Sequence, residues 1–147
     1  MASPASLPKQ LTVGKLAALA EVSANAVRFY EREGLMQVPE KTANGYRLYG
    51  PDAVQRLRFI RQAQHCGFTL SEIQDLLQLR EAAASCCNDV RNKVIAKKLE
   101  LEARIKAMKP MSLALDQLIA DCSNDARPVG DCSILASFSA GAAKPRP

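Results

Sequence analysis

Apolar residues that recur every seven positions in the second half of the chain constrain its folding most strongly. The series consists of Val94, Leu101, Met108 and Leu115, with Ile105 and Ile119 at intermediate positions. An apolar seam sustained over about four heptads is typical of a coiled coil, although two further intermediate positions are polar. It predicts a helix over residues 88 to 121, roughly 50 Å long, in which Pro110 removes a hydrogen bond and introduces a bend. Because a lone helix cannot bury its own stripe, the seam predicts a homodimer.

Two short helical patterns lie near the N-terminus. Thr12 is expected to cap the first helix, and Ser23 is expected to cap a second helix that reaches about Arg32 before Gly34. Two short helices joined by a tight turn, the second bearing arginine, are typical of a helix-turn-helix.

A hairpin signal and two longer helices follow. Asn44-Gly45 favours a hairpin because both residues tolerate positive φ, which predicts a wing with short strands on either side. Pro51 suits the first turn of a helix over residues 52 to 65. Thr69 and Glu72 form a capping box that opens a helix reaching about residue 80. The predicted fold class is therefore mainly α: a winged helix-turn-helix DNA-binding domain plus a long antiparallel coiled-coil dimerisation helix.

Charge and composition narrow the classes of function. Residues 1–66 hold nine Lys or Arg against five Asp or Glu, an excess that suits either a phosphate backbone or a basic solvated surface. No stretch is apolar enough to span a membrane, and MASPASLPKQ lacks the apolar region of a secretory signal. We therefore expect a cytoplasmic protein with no membrane partner, whose thiols stay reduced. With no nucleophile–base pair, phosphate loop or His-Glu metal motif, we do not expect an enzyme.

Several side chains lie where a winged helix-turn-helix meets DNA. Base contacts are expected from Ser23 and Asn25 in the first turn of the second helix. Candidate phosphate contacts on this helix, the wing and the next helix are Arg28, Tyr30, Arg47, Tyr49 and Arg61. Taken alone, the two tyrosines are better explained as core aromatic residues.

The chain resembles the MerR family of transcription regulators over about residues 11 to 121. The resemblance rests on VGKLAALAEVSANAVRFYEREGL, on NGYRLYG and on RLRFIRQAQHCGFTLSEI. It implies a winged helix-turn-helix, a long dimerisation helix and an effector site at the far end. It also implies that Arg28, Tyr30, Arg47 and Tyr49 contact the DNA backbone. A dimer of this family represses a double-stranded promoter with an over-long spacer, and on binding effector distorts the DNA so that RNA polymerase engages both promoter elements.

The cysteines suggest where the effector binds. Cys66 is expected to be a small buried residue. Cys86 and Cys87 begin the long helix, and Cys122 and Cys132 lie at and beyond its end, so the helix separates the two groups within one chain. If two helices pair antiparallel, Cys87 of one chain approaches Cys122 and Cys132 of its partner, and two equivalent sites form.

Three thiolates make a soft site that favours Cd, Pb, Zn or Hg as a divalent effector. Cys86 is a candidate fourth ligand, and Asp121, Asp125 and Asp131 lie close in sequence. The ending DCSIL resembles the cadmium, lead and zinc branch of the family, whereas Ser123 and the lack of a loop histidine depart from its zinc members. The alternative is a redox-sensing regulator of the same fold that uses the cysteines as a thiol switch.

The predicted organisation has five parts, and the predicted function combines them. The parts are a disordered N-terminus (1–10), a winged helix-turn-helix domain (11–81), a dimerisation helix (86–121), a metal-binding loop with a short C-terminal helix (122–139) and a flexible tail (140–147). We expect a homodimeric regulator that represses without metal and activates resistance or efflux genes with it.

Overall fold

Helices make up most of the described chain, so the mainly α prediction is confirmed. The structure is a computed structural model that describes residues 10–122 and 126–141. The helices are α1 (Val13–Ala20), α2 (Ala24–Arg32), α3 (Pro51–His65), α4 (Leu70–Glu81), α5 (Cys87–Asp121) and α6 (Ser133–Ser139). The predicted disordered N-terminus and flexible tail fall mostly outside the described residues, as do Ser123 and Asp125.

The helix ends follow from local side-chain chemistry. The Thr12 hydroxyl accepts the Lys15 N–H at the start of α1, and the Ser23 hydroxyl accepts the Ala26 N–H at the start of α2. The capping box of α4 is complete, with reciprocal hydrogen bonds between Thr69 and Glu72. These caps satisfy backbone N–H groups that lack partners within the helix, so the predicted helix starts are confirmed.

The first four helices enclose an aliphatic core. Its fully buried side chains come from every one of these helices and from the segments beside them: Leu11, Leu16, Val27, Leu35, Val54, Leu57, Ile60, Ile73 and Leu77. This core holds the second helix of the helix-turn-helix against α3 and α1, with one face buried and the other exposed.

The wing is a tight loop rather than a pair of strands. Isolated bridges join Lys41 to Arg47 and Leu11 to Tyr49, and no ladder extends from them in the described part of the chain. The Gly45 N–H donates to the Thr42 carbonyl (2.8 Å), and Gly45 takes a φ of 80°. Of the two turn residues, Gly45 alone takes positive φ, because a three-residue loop places only its last residue in the left-handed region.

The long helix α5 is continuous over 35 residues and passes through Pro110 without interruption. At its start the Cys86 N–H donates to the Asp89 carboxylate at 2.9 Å. The chain divides into two compact units, Met1–Lys97 and Lys98–Pro147, and α5 contributes residues to both. Among the described helices, none has both the length and the hydropathy needed to cross a membrane.

Candidate nucleic-acid interface and metal centre

The exposed face of α2 carries the polar residues that were expected to meet DNA. Ser23, Asn25 and Arg28 are exposed, whereas Val27 and Tyr30 point into the core. Ser23 accepts the Ala26 N–H at 3.0 Å, and its hydroxyl can still donate one hydrogen bond outward. The helix therefore presents donors and a guanidinium on the face opposite to its packing face.

A buried carboxylate joins this helix to the wing. The Tyr49 hydroxyl donates to Glu31 Oε1 at 2.6 Å, and the Arg47 guanidinium lies 3.6 Å from Glu31 Oε2. The Glu31 side chain is only 5% exposed. Burial, and then the hydrogen bond to Glu31, raise the pKa of Tyr49 to about 12. Arg28 and Lys41 line the same cleft, so cationic groups surround this point of the surface.

Glu31 is a residue that the sequence reasoning missed. Its i, i+3 spacing from Arg28 on the helix surface was a weak signal. Its main partners, Arg47 and Tyr49, lie far from it in sequence and become visible only when the wing folds back on α2.

Of the other residues predicted to contact DNA, Tyr30 is buried and Arg61 is half-exposed. The Tyr30 ring is buried, and its hydroxyl donates to Gln64 Oε1 of α3 at 2.6 Å. Arg61 is half-exposed and pairs with Glu21 at 3.2 Å. Both tyrosines thus have core rings with hydroxyls bonded inside the protein, and their contact with the DNA backbone stays a prediction.

Cys122 and Cys132 are brought together behind the end of α5. The two thiols interact directly, and both face a cavity of about 260 Å³ that Arg127 and Asp131 also line. The Ser133 hydroxyl donates to the Asp121 carbonyl at 3.2 Å, which ties the returning segment to the end of the helix. The described residues on either side of 123–125 therefore bring Cys122 and Cys132 together.

The surroundings of the Cys132 thiol favour its ionised form. The backbone N–H groups of Leu135 and then Ile134 lower its pKa, and the Cys122 thiol and Arg127 add to the effect. Two adjacent sulfurs, one inclined to ionise, are a suitable donor pair for a soft cation.

The other cysteines lie apart from this pair in the chain. Cys86 and Cys87 are exposed at the start of α5. Our expectation that Cys66 would be buried was wrong, because this residue caps the end of α3 at the surface, beside exposed His65. Across residues 10–122 and 126–141 of one chain, no three His, Cys, Asp or Glu side chains form a group that could hold a metal.

Known proteins resemble this chain along most of its length. Residues 11–80 match the family "MerR HTH family regulatory protein", and residues 54–118 match "MerR, DNA binding". The HTH-type transcriptional regulator ZntR of Escherichia coli (strain K12) is 36% identical over 131 residues, which cover 88% of this chain and 93% of that protein.

Two solved structures share the fold and have a metal ion bound. The transcription regulator PbrR691 from Ralstonia metallidurans CH34 in complex with lead(II) aligns with a TM-score of 0.74 and 34% identity, covering 87% of this chain and 98% of that one. The dual function transcriptional regulator MerR from Bacillus megaterium MB1 in complex with mercury(II) aligns with a TM-score of 0.65 and 29% identity, covering 88% and 99%.

Proposed function

This chain belongs to the MerR family of transcription regulators and is not an enzyme, and from that premise we propose that it senses a soft divalent metal ion. It binds promoter DNA as a homodimer and represses transcription without metal. With Cd, Pb, Zn or Hg bound, it distorts the promoter so that RNA polymerase transcribes resistance or efflux genes. The regulators that resemble it in complex with lead(II) and mercury(II) support this class of effector.

The observation that carries the proposal is the meeting of Cys122 and Cys132 at one cavity. Two thiolates do not complete the coordination of Cd, Pb or Zn, and a third sulfur is the ligand that this set of cysteines can add. Cys87 of the partner chain supplies it, and Cys86 is a candidate fourth ligand. When bound, the ion supplies strong bonds to thiolates, which harder cations do not form as readily.

Dimerisation follows from the apolar seam of α5. Val94, Ile105, Met108, Leu115 and Ile119 are between 49% and 67% exposed in the single chain. An antiparallel partner helix would cover this stripe and place the start of one α5 beside the end of the other. That arrangement also brings Cys87 of one protomer to Cys122 and Cys132 of its partner.

The DNA interface combines α2 and the wing. Ser23 and Asn25 read base edges, while Arg28, Arg47 and Arg61 contact phosphates. The hydroxyls of Tyr30 and Tyr49 donate to Gln64 and Glu31 in the free protein, so each contacts a phosphate only by giving up that hydrogen bond. Glu31 holds Arg47 and Tyr49 beside α2, so the wing and the helix bind DNA as one unit. Metal shifts transcription because it binds the activating arrangement of the dimer more tightly than the repressing one.

A reporter experiment tests the metal site. A promoter fusion is titrated with Cd, Pb, Zn, Hg and Cu in cells that carry the wild type, Cys122→Ser or the control Cys66→Ser. We expect Cys122→Ser to bind the promoter normally but to lose induction, whereas Cys66→Ser responds like the wild type because its exposed thiol lies outside the cavity. Full induction of Cys122→Ser would refute the site.

A mixed dimer tests whether the site is shared between chains. One protomer carries Cys87→Ser and the other carries Cys122→Ser, each with a different affinity tag for purification. A shared site predicts one intact centre in this mixed dimer and none in either mutant homodimer. Metal bound at half the wild-type stoichiometry would support sharing, and no bound metal would show that each site is built within one chain.

A thiol switch is the second candidate function, favoured by the contact between Cys122 and Cys132. In this reaction the two thiols give two electrons and two protons to hydrogen peroxide, whose O–O bond breaks to give two water molecules, and a disulfide forms. Thiol titration under reducing conditions separates the candidates: a metal sensor loses free thiols on adding metal alone, whereas a thiol switch loses them only on adding peroxide.

A further inference from the structure

Lys97 stands out because, among the described residues, it is the one charged residue that is buried as a whole, at 4% exposure, whereas Glu31 is buried only in its side chain. Its ammonium nitrogen lies 2.8 Å from Glu72 Oε1 and 5.7 Å from the centroid of the Phe68 ring. A buried ammonium needs a paired anion, and an aromatic face adds to its stabilisation. Lys97 therefore anchors α5 to a defined point at the start of α4.

That point is the cap of α4. The Thr69 N–H donates to the same Glu72 Oε1 at 2.8 Å, so one carboxylate oxygen receives both the helix cap and the Lys97 ammonium. Phe68 immediately precedes this cap and follows Gly67, whose φ of 92° forms the turn between α3 and α4. A movement of Lys97 is therefore passed to the turn from which α3 and α4 both extend.

A second ion pair links the same two helices, but it is longer and both of its side chains are exposed to solvent. Lys93 Nζ lies 4.0 Å from Asp75 Oδ2, and the two side chains are 43% and 51% exposed. An exposed pair at this distance contributes little, because water screens it and both side chains remain free to move. Lys93 thus provides a matched control on the same helix, one turn before Lys97.

We propose that Lys97 is the positioning residue that couples α5 to the DNA-binding domain, so that metal binding reaches the DNA through the Lys97–Glu72 pair. Cys87 lies ten residues earlier on α5, about 15 Å along the helix axis. If α5 turned or slid alone, a buried ammonium would lose its partner, which is costly, so α4 moves with it. This inference rests on the proposed metal-sensing function.

The test compares Lys97→Met with Lys93→Met in promoter binding, metal stoichiometry and metal-dependent transcription in vitro. Methionine keeps an apolar stem against Phe68 but removes the charge. We expect Lys97→Met to bind promoter and metal like the wild type and to lose about tenfold in activation, a typical size for coupling between two sites. Lys93→Met should activate like the wild type, and Lys97→Arg should recover part of the response.

Two variants of α4 separate coupling from helix stability. Glu72→Gln keeps a side chain that can complete the capping box but loses the charge, so we expect it to lose activation as Lys97→Met does. Thr69→Ala removes the threonine cap but leaves the Lys97–Glu72 pair, so we expect it to lower thermal stability and to keep activation. In metal-free protein, a double-mutant cycle of Lys97→Met and Glu72→Gln on thermal unfolding should show a non-additive interaction.

Several outcomes would overturn the inference. Wild-type activation by metal-loaded Lys97→Met would do so, as would additive stability effects in the cycle. Equal losses of promoter affinity and activation in Lys97→Met would do so too, because they would show a merely structural role. If the wild type binds promoter but responds to no metal, the proposed function itself fails and the inference fails with it, whereas a responsive wild type with a responsive Lys97→Met overturns the inference alone.

Discussion

Replacing Leu115 with aspartate should break the dimer, and the size of the effect can be worked out from its exposure. Burying a whole leucine side chain contributes about 1.5–3 kcal/mol. Leu115 is 56% exposed in the single chain. A partner helix can therefore gain about 1–1.5 kcal/mol per protomer by covering it, or about 2–3 kcal/mol for the two copies in a dimer. Loss of this term raises the dimer dissociation constant on the order of 100-fold.

Leu113→Asp is the matched control. Leu113 is 67% exposed on the same helix, and two residues of separation place it about 200° around the axis from Leu115, away from the seam. Both substitutions change helix propensity equally, so a difference between them reports the seam alone.

Sedimentation velocity over a range of protein concentrations measures the dissociation constants. We expect Leu115→Asp to sediment as a monomer where the wild type and Leu113→Asp remain dimers. A monomeric Leu115→Asp should also lose metal binding, because its cysteine site needs two chains. Equal dissociation constants for the two variants would refute the seam as the dimer interface.

Further predictions concern the core, one ion pair and one phenol. Leu57→Ala should lower the free energy of unfolding by about 2–5 kcal/mol in a urea titration, because the side chain is fully buried; a change below 1 kcal/mol would contradict the packing. The hydrogen bond from Lys97 is the main cause that lowers the pKa of Glu72 from 4.5 to about 2, so its contribution to stability is present above pH 4.5 and lost as the pH falls toward 2. Glu72→Gln should therefore show a flatter dependence of stability on pH in that window, and an unchanged slope would count against the pair. The Tyr49 pKa of about 12 lies above its ordinary value, so the phenol stays protonated through pH 10 and its stabilising contribution is lost between about pH 10 and 12. Ultraviolet titration should show one tyrosine that ionises near pH 12 in the wild type and none in Tyr49→Phe. Glu31→Gln should lower the pKa of Tyr49.

Local features were predictable because their partners are close in sequence. The caps at Thr12, Ser23 and Thr69 each bond a backbone N–H three residues ahead, so a short stretch of sequence contains both partners. The wing was predicted in position but not in detail. The Asn44-Gly45 signal marks a turn, whereas the length of the loop decides which of the two residues takes positive φ.

Contacts between distant residues could not be predicted from the pattern. Glu31 meets Tyr49 eighteen residues later, and Lys97 meets Glu72 twenty-five residues earlier. The sequence assigned Glu72 only to its capping box and gave Glu31 no role, because helical spacing alone does not show which charged side chain another element will cover. Cys66 illustrates the reverse error, since a residue type that is usually buried lies here at an exposed helix end.

The sequence by itself determined the helices, the long apolar seam of α5 and the family, because periodicity and caps act over a few residues and the MerR motifs are continuous segments. Only the tertiary structure decided that Glu31 holds the wing and that Lys97 is buried against the cap of α4. It also added the cavity shared by Cys122 and Cys132, which the sequence had already assigned to one site. These arrangements depend on loop closure and on the burial of charge between elements. The free energies of loop closure and of charge burial depend on which helices pack together, so a local stretch of sequence does not determine them.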